Sequence, residues 1–427
     1  MMRFITTRIL YSLTLICLFS QISKAQDFKA GPMPDRIILN WSADPATTQS
    51  VSWRTDSTVK KSVAQILIED SSPKLDKPEA KAYEAITSSL KGKEYETANY
   101  HSVTFTALLP DKIYTYRVGD GKNWSEWFQF RTGPAQTKAF SFIYLGDAQN
   151  DIRSKWSRVI RRAFASQGEA RFIVHAGDLI NRSNNDSEWG EWHFGGGFIN
   201  GMIPSVPSSG NHEYFRDEQK TLTLDPHWAA QYTLPQNGPE GLKESVYYTD
   251  YSNVRIISLN SQMIVLDSSS LKIQAKWLEE VLKNNPKEWT MIIYHHPIYS
   301  TAKGRDNKEF REIFKPLFDK YHVDLLMQGH DHTYSRGQNL PTGISGKAGG
   351  PMYVVSVAGP KMYKVDVNPK WMDIFAEDTQ LFQIISVDHD VLTYTAYKAS
   401  GEVFDAFKLK KKSKDRAAEF TDLRNKK

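Results

Sequence analysis

The spacing of hydrophobic and polar positions changes once along this chain, at Thr132-Gly133-Pro134. Before that point, short apolar and β-branched runs recur at Arg36–Trp41, Ser50–Arg54, Ala64–Glu69, His101–Leu108, Ile113–Val118 and Trp127–Arg131. Turn formers separate them: Asp44-Pro45, Pro110-Asp111 and Gly119-Asp120-Gly121. Strands at that spacing predict an all-β sandwich over residues 34–133. Val103, Phe105 and Leu108, then Ile113, Tyr114 and Tyr116, read as two paired core strands.

After Pro134 apolar runs alternate with helical patterns over residues 138–398. Strands are expected at Phe140–Leu145, Phe172–Ala176, Val254–Asn260, Thr290–Tyr294, Val323–Gln328, Met352–Val357 and within Leu381–Tyr397. Helices are expected at Ile152–Ser166, Leu271–Asn284 and Glu309–Tyr321. Ile273, Trp277, Leu278, Val281 and Leu282 recur with the helical period. Such alternation predicts an α/β layered enzyme domain.

Composition adds two facts. With 427 residues, 40% hydrophobic and 12% aromatic, the chain has material for two globular cores. Its net charge of +5 sits at the ends. Residues 1–25 carry Arg3, Arg8 and Lys24 and no acid, and residues 408–427 carry nine Lys/Arg against three acids. The body between them is therefore slightly acidic, and no nucleic-acid partner is expected. Arg3 and Arg8 precede the apolar run Ile9–Phe19, with small residues at Ser23 and Ala25. That is the grammar of a signal peptide over residues 1–25 cleaved near Ala25, so export to the periplasm or outside the cell is expected. A membrane anchor is the weaker reading, because the run is too short to span ~30 Å of hydrocarbon, and no stable membrane insertion is expected. The one cysteine, Cys17, lies in this segment. Any metal in the rest of the chain must be held by nitrogen and oxygen. Residues 399–427 read as a basic C-terminal tail, either frayed or a solvated helix.

Five apolar runs in the second domain end in metal-capable clusters. These are Gly146-Asp147-Ala148-Gln149, Gly177-Asp178, Gly210-Asn211-His212-Glu213, His295-His296-Pro297 and Gly329-His330-Asp331-His332. Ligands of α/β sheets bind at the carboxyl ends of strands, where such loops converge. Each cluster alone has an ordinary reading: an Asp after a strand caps a helix, and Asn211-His212-Glu213 makes a turn. Five together, all nitrogen and oxygen donors, point to a metal site.

The ordered series GD, GD, GNHE, H-x-P and GHDH resembles the metallophosphoesterase (calcineurin-like) superfamily, in its purple acid phosphatase-like branch. The stretch YHSVTFTALLPDKIYTYRVGDG is similar to the late strands of a fibronectin type III domain. The resemblance implies an N-terminal fibronectin type III-like sandwich followed by an α/β/β/α layered catalytic domain. It implies two divalent ions, of Zn, Mn or Fe. Asp178 would bridge them, with Asp147 and His332 on one and Asn211, His295 and His330 on the other. A metal-bridging hydroxide would attack phosphorus, and His212, beside Asn211, would protonate the leaving group. His296 then faces the substrate or packs.

Two positions depart from the family pattern. Asn181 stands where purple acid phosphatases carry the colour-giving Tyr, and Gln149 where the superfamily often has His. Gln149 is expected either to ligate the first ion through its amide oxygen or to orient its neighbours. Arg336 has two readings, a bidentate phosphate clamp or a structural ion pair. Tyr299 lines the pocket or packs, and Trp189, Trp192 and Phe198 form an apolar rim or belong to the core. His175 is expected in the core, His193 in the wall before the GNHE loop, and Glu213 as a loop support. The expected activity is hydrolysis of a small phosphate monoester. A phosphodiesterase acting on nucleotides or glycerophosphodiesters is the alternative enzyme, and an inactive binding or scaffold protein the alternative of another class.

Overall fold

A computed structural model describes residues 28–91, 96–338, 350–367 and 371–424. The leader with Ala25 and Cys17, and the loop between Gln338 and Gly350, lie outside the described residues. Among those described, no helix is long and apolar enough to cross a membrane.

The N-terminal domain comprises β1 (Asp35–Asn40), β2 (Gln49–Asp56), β3 (Val63–Ile68), β4 (Lys81–Glu84), β5 (Ile86–Leu90), β6 (Ala98–Phe105), β7 (Ile113–Gly119) and β8 (Phe128–Arg131). Two antiparallel four-stranded sheets, ordered β1-β2-β6-β5 and β4-β3-β7-β8, form a sandwich. Alternate residues, among them Leu39, Val51, Trp53, Phe105, Tyr116 and Phe130, fill its core. β6 and β7 do not pair with each other. Leu108–Lys112 carries the chain from one sheet to the other, and Phe105 meets Tyr116 across the core at 6.1 Å. An apolar pattern marks inward positions equally well for strands that pair and strands that face each other. β4 and β5 are largely exposed, which is why they carry no apolar signal.

The second domain begins with β9 (Phe140–Leu145), a π-turn at Ile152–Trp156, α1 (Ser157–Ser166), β10 (Ile173–His175), α2 (Asp186–Gly196), α3 (Phe198–Met202) and β11 (Ser205–Pro207). A small hairpin, β12 (Tyr214–Arg216) and β13 (Leu222–Leu224), and α4 (His227–Gln231) follow. Then come β14 (Tyr247–Tyr251), β15 (Val254–Ser258), α5 (Ser261–Leu266), α6 (Ser268–Lys283), β16 (Trp289–Ile293), α7 (Lys308–Lys320), β17 (Leu325–Gln328), β18 (Tyr334–Gln338), β19 (Met352–Val355) and β20 (Ile374–Ala376). The chain closes with β21 (Leu381–Asp388), β22 (Val391–Lys398), β23 (Val403–Lys410) and β24 (Glu419–Asp422).

These strands build two mixed seven-stranded sheets, β11-β10-β9-β21-β22-β23-β24 and β14-β15-β16-β17-β19-β18-β20. Period-2 alternation explains the layering. In the second sheet Ile256, Met291, Ile293, Leu325, Met327 and Val354 share a core with Phe142, Tyr144 and Ile385 of the first. Their neighbours Ile257, Ile292, Leu326, Tyr353 and Val355 face the opposite way, against Leu278 of α6 and Phe314 of α7. Tyr144 stitches the sheets together, its hydroxyl taking the Gln328 N–H at 2.9 Å and donating to the Gln328 carbonyl.

The sandwich packs on the catalytic domain through charge as well as apolar contact. Arg36 and Arg54 both reach Asp186, at 2.7 and 2.9 Å, at the start of α2. Tyr116 donates to the Gly201 carbonyl at 2.7 Å, and Ile38 and Trp41 enter the catalytic core.

Of the span 399–427, residues 399–424 are described, and they are not the tail or solvated helix expected of them. β23 pairs with β22 and β24 with β23, antiparallel, so the first sheet runs past residue 398 to residue 422. Lysines dominate the composition there, yet alternate positions Asp405, Phe407 and Leu409 point inward. Just beyond β23, Lys411 is buried, bonding Asp324 and the Glu288 carbonyl, both at 2.7 Å. Burial pushes the Asp324 carboxyl up to about 6 despite this partner. Removing one member of such a pair strands the other charge away from water. Lys411→Met should therefore lower the unfolding free energy by about 3–5 kcal/mol in urea titrations; a change under half a kilocalorie would show the segment to be undocked.

Candidate metal centre

The five clusters lie at the carboxyl ends of parallel strands. Asp147 and Gln149 follow β9, Asp178 follows β10, Asn211 follows β11, His295 follows β16, and His330 and His332 follow β17. The strands end there because the backbone turns into the left-handed region. Asp147 (φ 29°), Asp178 (φ 51°), His330 (φ 71°) and His332 (φ 48°) all occupy it, although none is glycine. The glycines before them serve close packing. A Cβ on Gly177 would stand 2.7 Å from the Gly210 nitrogen, and one on Gly329 would stand 2.5 Å from Asp147 Oδ2.

The side chains converge in two overlapping groups. Ligand-capable atoms of Asp178, His295 and His330 lie within 4.8 Å of one another, as do those of Asp147, Asp178 and His332. Asp178 belongs to both. His295 Nε2 stands 3.0 Å from Asp178 Oδ2, 3.1 Å from His330 Nδ1 and 3.2 Å from Asn211 Oδ1. Its Nδ1 donates to the Ala176 carbonyl at 2.8 Å, which turns the Nε2 lone pair inward. His332 repeats the device: Nδ1 donates to the Lys361 carbonyl at 3.1 Å. Gln149 is fully buried, its Nε2 2.9 Å from Asp178 and 3.0 Å from His332, while its Oε1 has no partner.

The electrostatics ask for cations. Burial, and then the Asp178 charge, pushes the Asp147 carboxyl well above its usual range, although His295 pulls it down. Asp178 is held low against its burial by His295, His212 and His330. Burial alone would lower His295, but the two carboxylates raise it to about 9. Burial lowers His332 to about 3 and also holds His330 down, so both imidazoles present lone pairs. Two buried carboxylates, neutral imidazoles and amide oxygens around one point are the donor set of divalent metal sites. They fit two ions sharing Asp178, and Gln149, whose Nε2 faces Asp178 and His332, would join them with its amide turned over so that the orphaned Oε1 gains a partner.

Residues 34–132 match the family model for the purple acid phosphatase N-terminal domain, and residues 140–334 that for calcineurin-like phosphoesterases. The chain thus joins a purple acid phosphatase N-terminal domain to a calcineurin-like phosphoesterase domain. It is 27% identical over 265 residues to purple acid phosphatase 1 of Ipomoea batatas, covering 58% of this chain and 53% of that protein. It is 23% identical over 361 residues, 74% of this chain and 58% of the relative, to the probable inactive purple acid phosphatase 24 of Arabidopsis thaliana. The chain spans about half the length of the curated relatives it matches. In fold it resembles purple acid phosphatase PPD1 from yellow lupin (TM-score 0.74, 18% identity, 90% of this chain and 75% of that one). It also resembles PhoD (TM-score 0.65, 11% identity, 92% and 93%).

In this phosphoesterase domain the remaining expected residues divide. His212 lies at the site: Nδ1 donates to the Asn181 carbonyl at 2.5 Å, and Nε2 stands 3.9 Å from Asp178. His296 is buried, with its ring 4.1 Å from that of His330 and Nδ1 3.0 Å from Ser261 Oγ. Tyr299 packs, 5.1 Å from Tyr353 and 5.7 Å from Trp371. Arg336 is no phosphate clamp. It is fully buried, bidentate to Asp405 at 2.8 and 2.9 Å and paired with Asp373, because β18 turns it away from the metal site. Trp189 and Trp192 are core residues, and His193 donates to Gln231 at 2.8 Å.

Buried carboxylates support the ligand loops. Glu213 accepts the N–H groups of Asp178, Leu179 and Gly210, at 3.0, 2.7 and 2.6 Å, and so ties two ligand loops together. Asp331 accepts from Thr301 and from Arg305 and locks the GHDH turn. Asp331 was visible inside its motif, but no sequence signal marked Arg305. Orienting groups of this kind typically govern metal affinity by 10–100-fold. Glu213→Ala should weaken metal binding by roughly that factor in a chelator competition; unchanged affinity would show that the loops hold without it.

Proposed function

We propose that this protein hydrolyses phosphate monoesters using two divalent ions held by Asp147, Gln149, Asp178, Asn211, His295, His330 and His332. The observation that carries the reading is the sharing of Asp178 between two ligand groups, each completed by a neutral imidazole. Ions in such a pair polarise a phosphoryl oxygen and generate a nucleophile from water near neutral pH. The donor set suits Zn, Mn or Fe. With Asn181 in place of the chromophoric Tyr and a neutral amide at Gln149, a divalent, colourless pair is the expected form.

The protein's own groups do the rest. His212 is the acid: with Nδ1–H committed to the Asn181 carbonyl, Nε2 is the nitrogen left to hold a proton for the departing oxygen. Asn181 is itself pinned, its N–H donating to Glu188 at 2.7 Å. Beyond it opens a cavity of about 530 Å³ lined by Asn150, Asp151, Arg153, Asn181, Glu188 and Glu191. His296, beside His330, faces the bound phosphate. Export after cleavage near Ala25 belongs to the same proposal, supported by the charge and apolar pattern of residues 1–25.

Two measurements test this. Elemental analysis should find about two ions per chain, and Gln149→Ala should lose one; full occupancy in the variant would remove Gln149 from the ligand set. His212→Ala should slow hydrolysis of an alkyl phosphate by about 10²–10⁴-fold. It should slow p-nitrophenyl phosphate far less, because that leaving group needs little protonation. Equal losses on both esters would argue against His212 as the acid.

A further inference from the structure

The histidine side of the centre carries two cations that the proposed chemistry does not use. Arg305 follows the His295-His296-Pro297 loop, and Lys361 follows β19. Their segments are stitched together: Ala302 forms a β-bridge with Val365, and Asp366 donates its N–H to the Thr301 carbonyl at 2.7 Å. Tyr363 sits between them and the metal ligands. Its ring meets that of His332 at 4.9 Å and 77°, and its N–H donates to the His332 carbonyl at 3.2 Å. The Arg305 guanidinium lies 4.9 Å from the Tyr363 ring centre and the Lys361 ammonium 5.5 Å.

Arg305 is only partly committed. Nη1 donates to the His330 carbonyl at 2.7 Å and to Asp331 at 3.0 Å. Its Nε and Nη2 donate to no group among the described residues, and the side chain is 31% exposed. Lys361 makes no ion pair among the described residues, unlike Lys364, which pairs with Glu377 at 2.8 Å. The charge of Arg305 reaches His296, His330 and His332, and that of Lys361 reaches His332.

We propose that Arg305 and Lys361, seated on Tyr363, form an anion subsite that selects phosphomonoesters carrying a second anionic group a few atoms from phosphorus. The ring fixes both cations at the edge of the centre, where a phosphate bound by the ions would place its substituent within their reach. The inference rests on the phosphoesterase reading and adds a substrate class to it.

Ethyl phosphate and phosphoglycolate test it, since they differ by a methyl against a carboxylate. With the metal-loaded protein, kcat/KM should favour phosphoglycolate by about fivefold or more, chiefly through KM, as a partly exposed ion pair permits. Calorimetry should show the same advantage for the non-hydrolysable 3-phosphonopropionate over propylphosphonate. Lys361→Met should shrink both ratios toward one, and Lys361→Arg should retain them. Among the described residues Lys361 Nζ meets the Tyr363 ring and takes no part in the Asp331 and His330 contacts of Arg305, so this variant leaves those contacts in place. Equal values for the paired compounds, or ratios that survive Lys361→Met, overturn the subsite. If ethyl phosphate is hydrolysed without a carboxylate advantage, this inference alone fails. If neither ester reacts and neither phosphonate binds, the hydrolase reading falls with it.

Discussion

Burying Asp147 and Asp178 side by side is the constraint on which the rest of this domain depends. Each carboxylate is 1% exposed, and the two repel through a medium that screens them poorly. Such a pair persists only where the surrounding structure over-determines it. Here the left-handed turns at Asp147, Asp178, His330 and His332 store backbone strain, of order 1 kcal/mol at each residue. Buried Glu213 and Asp331 accept hydrogen bonds that hold the turns at Asp178 and His330–His332, and buried Ser261 accepts the His295 N–H. Stability and chemistry are opposed at this site, and the proposed divalent ions would reconcile them.

The architecture follows from that need. Two sheets bring the carboxyl ends of β9, β10, β11, β16 and β17 to one rim, and the Tyr144–Gln328 bridge fixes their relative height. Neither sheet alone supplies all three members of either ligand group. Asp147 and Asp178 come from one, and the three histidines from the other. The N-terminal sandwich contributes no ligand. Through Arg36 and Arg54 it instead anchors Asp186 at the start of α2, two residues before Glu188, which fixes the Asn181 backbone that holds His212. A β-module that reads as a packing partner is thus linked mechanically to the proposed acid.

Much of this was legible because strand ends write themselves plainly: an apolar run, then glycine, then a polar donor. Phe140–Leu145 appears with the boundaries its pattern predicts, and α6 and α7 begin and end within three residues of theirs. The failures share a cause. Sequence pattern reports which face of an element is buried, and it does not report which neighbour lies across. β6 and β7 therefore read as partners when they face each other, and the pattern left Arg336, four residues beyond His332, open between a phosphate clamp and the ion pair its strand makes with Asp405. β23 was hidden by lysines that occupy its outer positions while Asp405, Phe407 and Leu409 fill the core. Arg305 was invisible because its place is set by a β-bridge between two irregular segments.

The docking of β23 and β24 also changes the argument from net charge. The cations of residues 408–424 belong to the catalytic domain's own sheet, so that domain is less acidic than a count stopping at residue 407 implies. Yet four of these seven charges are paired, Lys410 with Asp390, Lys411 with Asp324, Lys412 with Glu419 and Arg424 with Asp422. A paired charge contributes a short-ranged dipole, which decays within a Debye length of ~8 Å at physiological salt. What an approaching anion meets at the metal rim is set by the cations left unneutralised there. Local placement, and not the sum over the chain, decides which anions this site can hold.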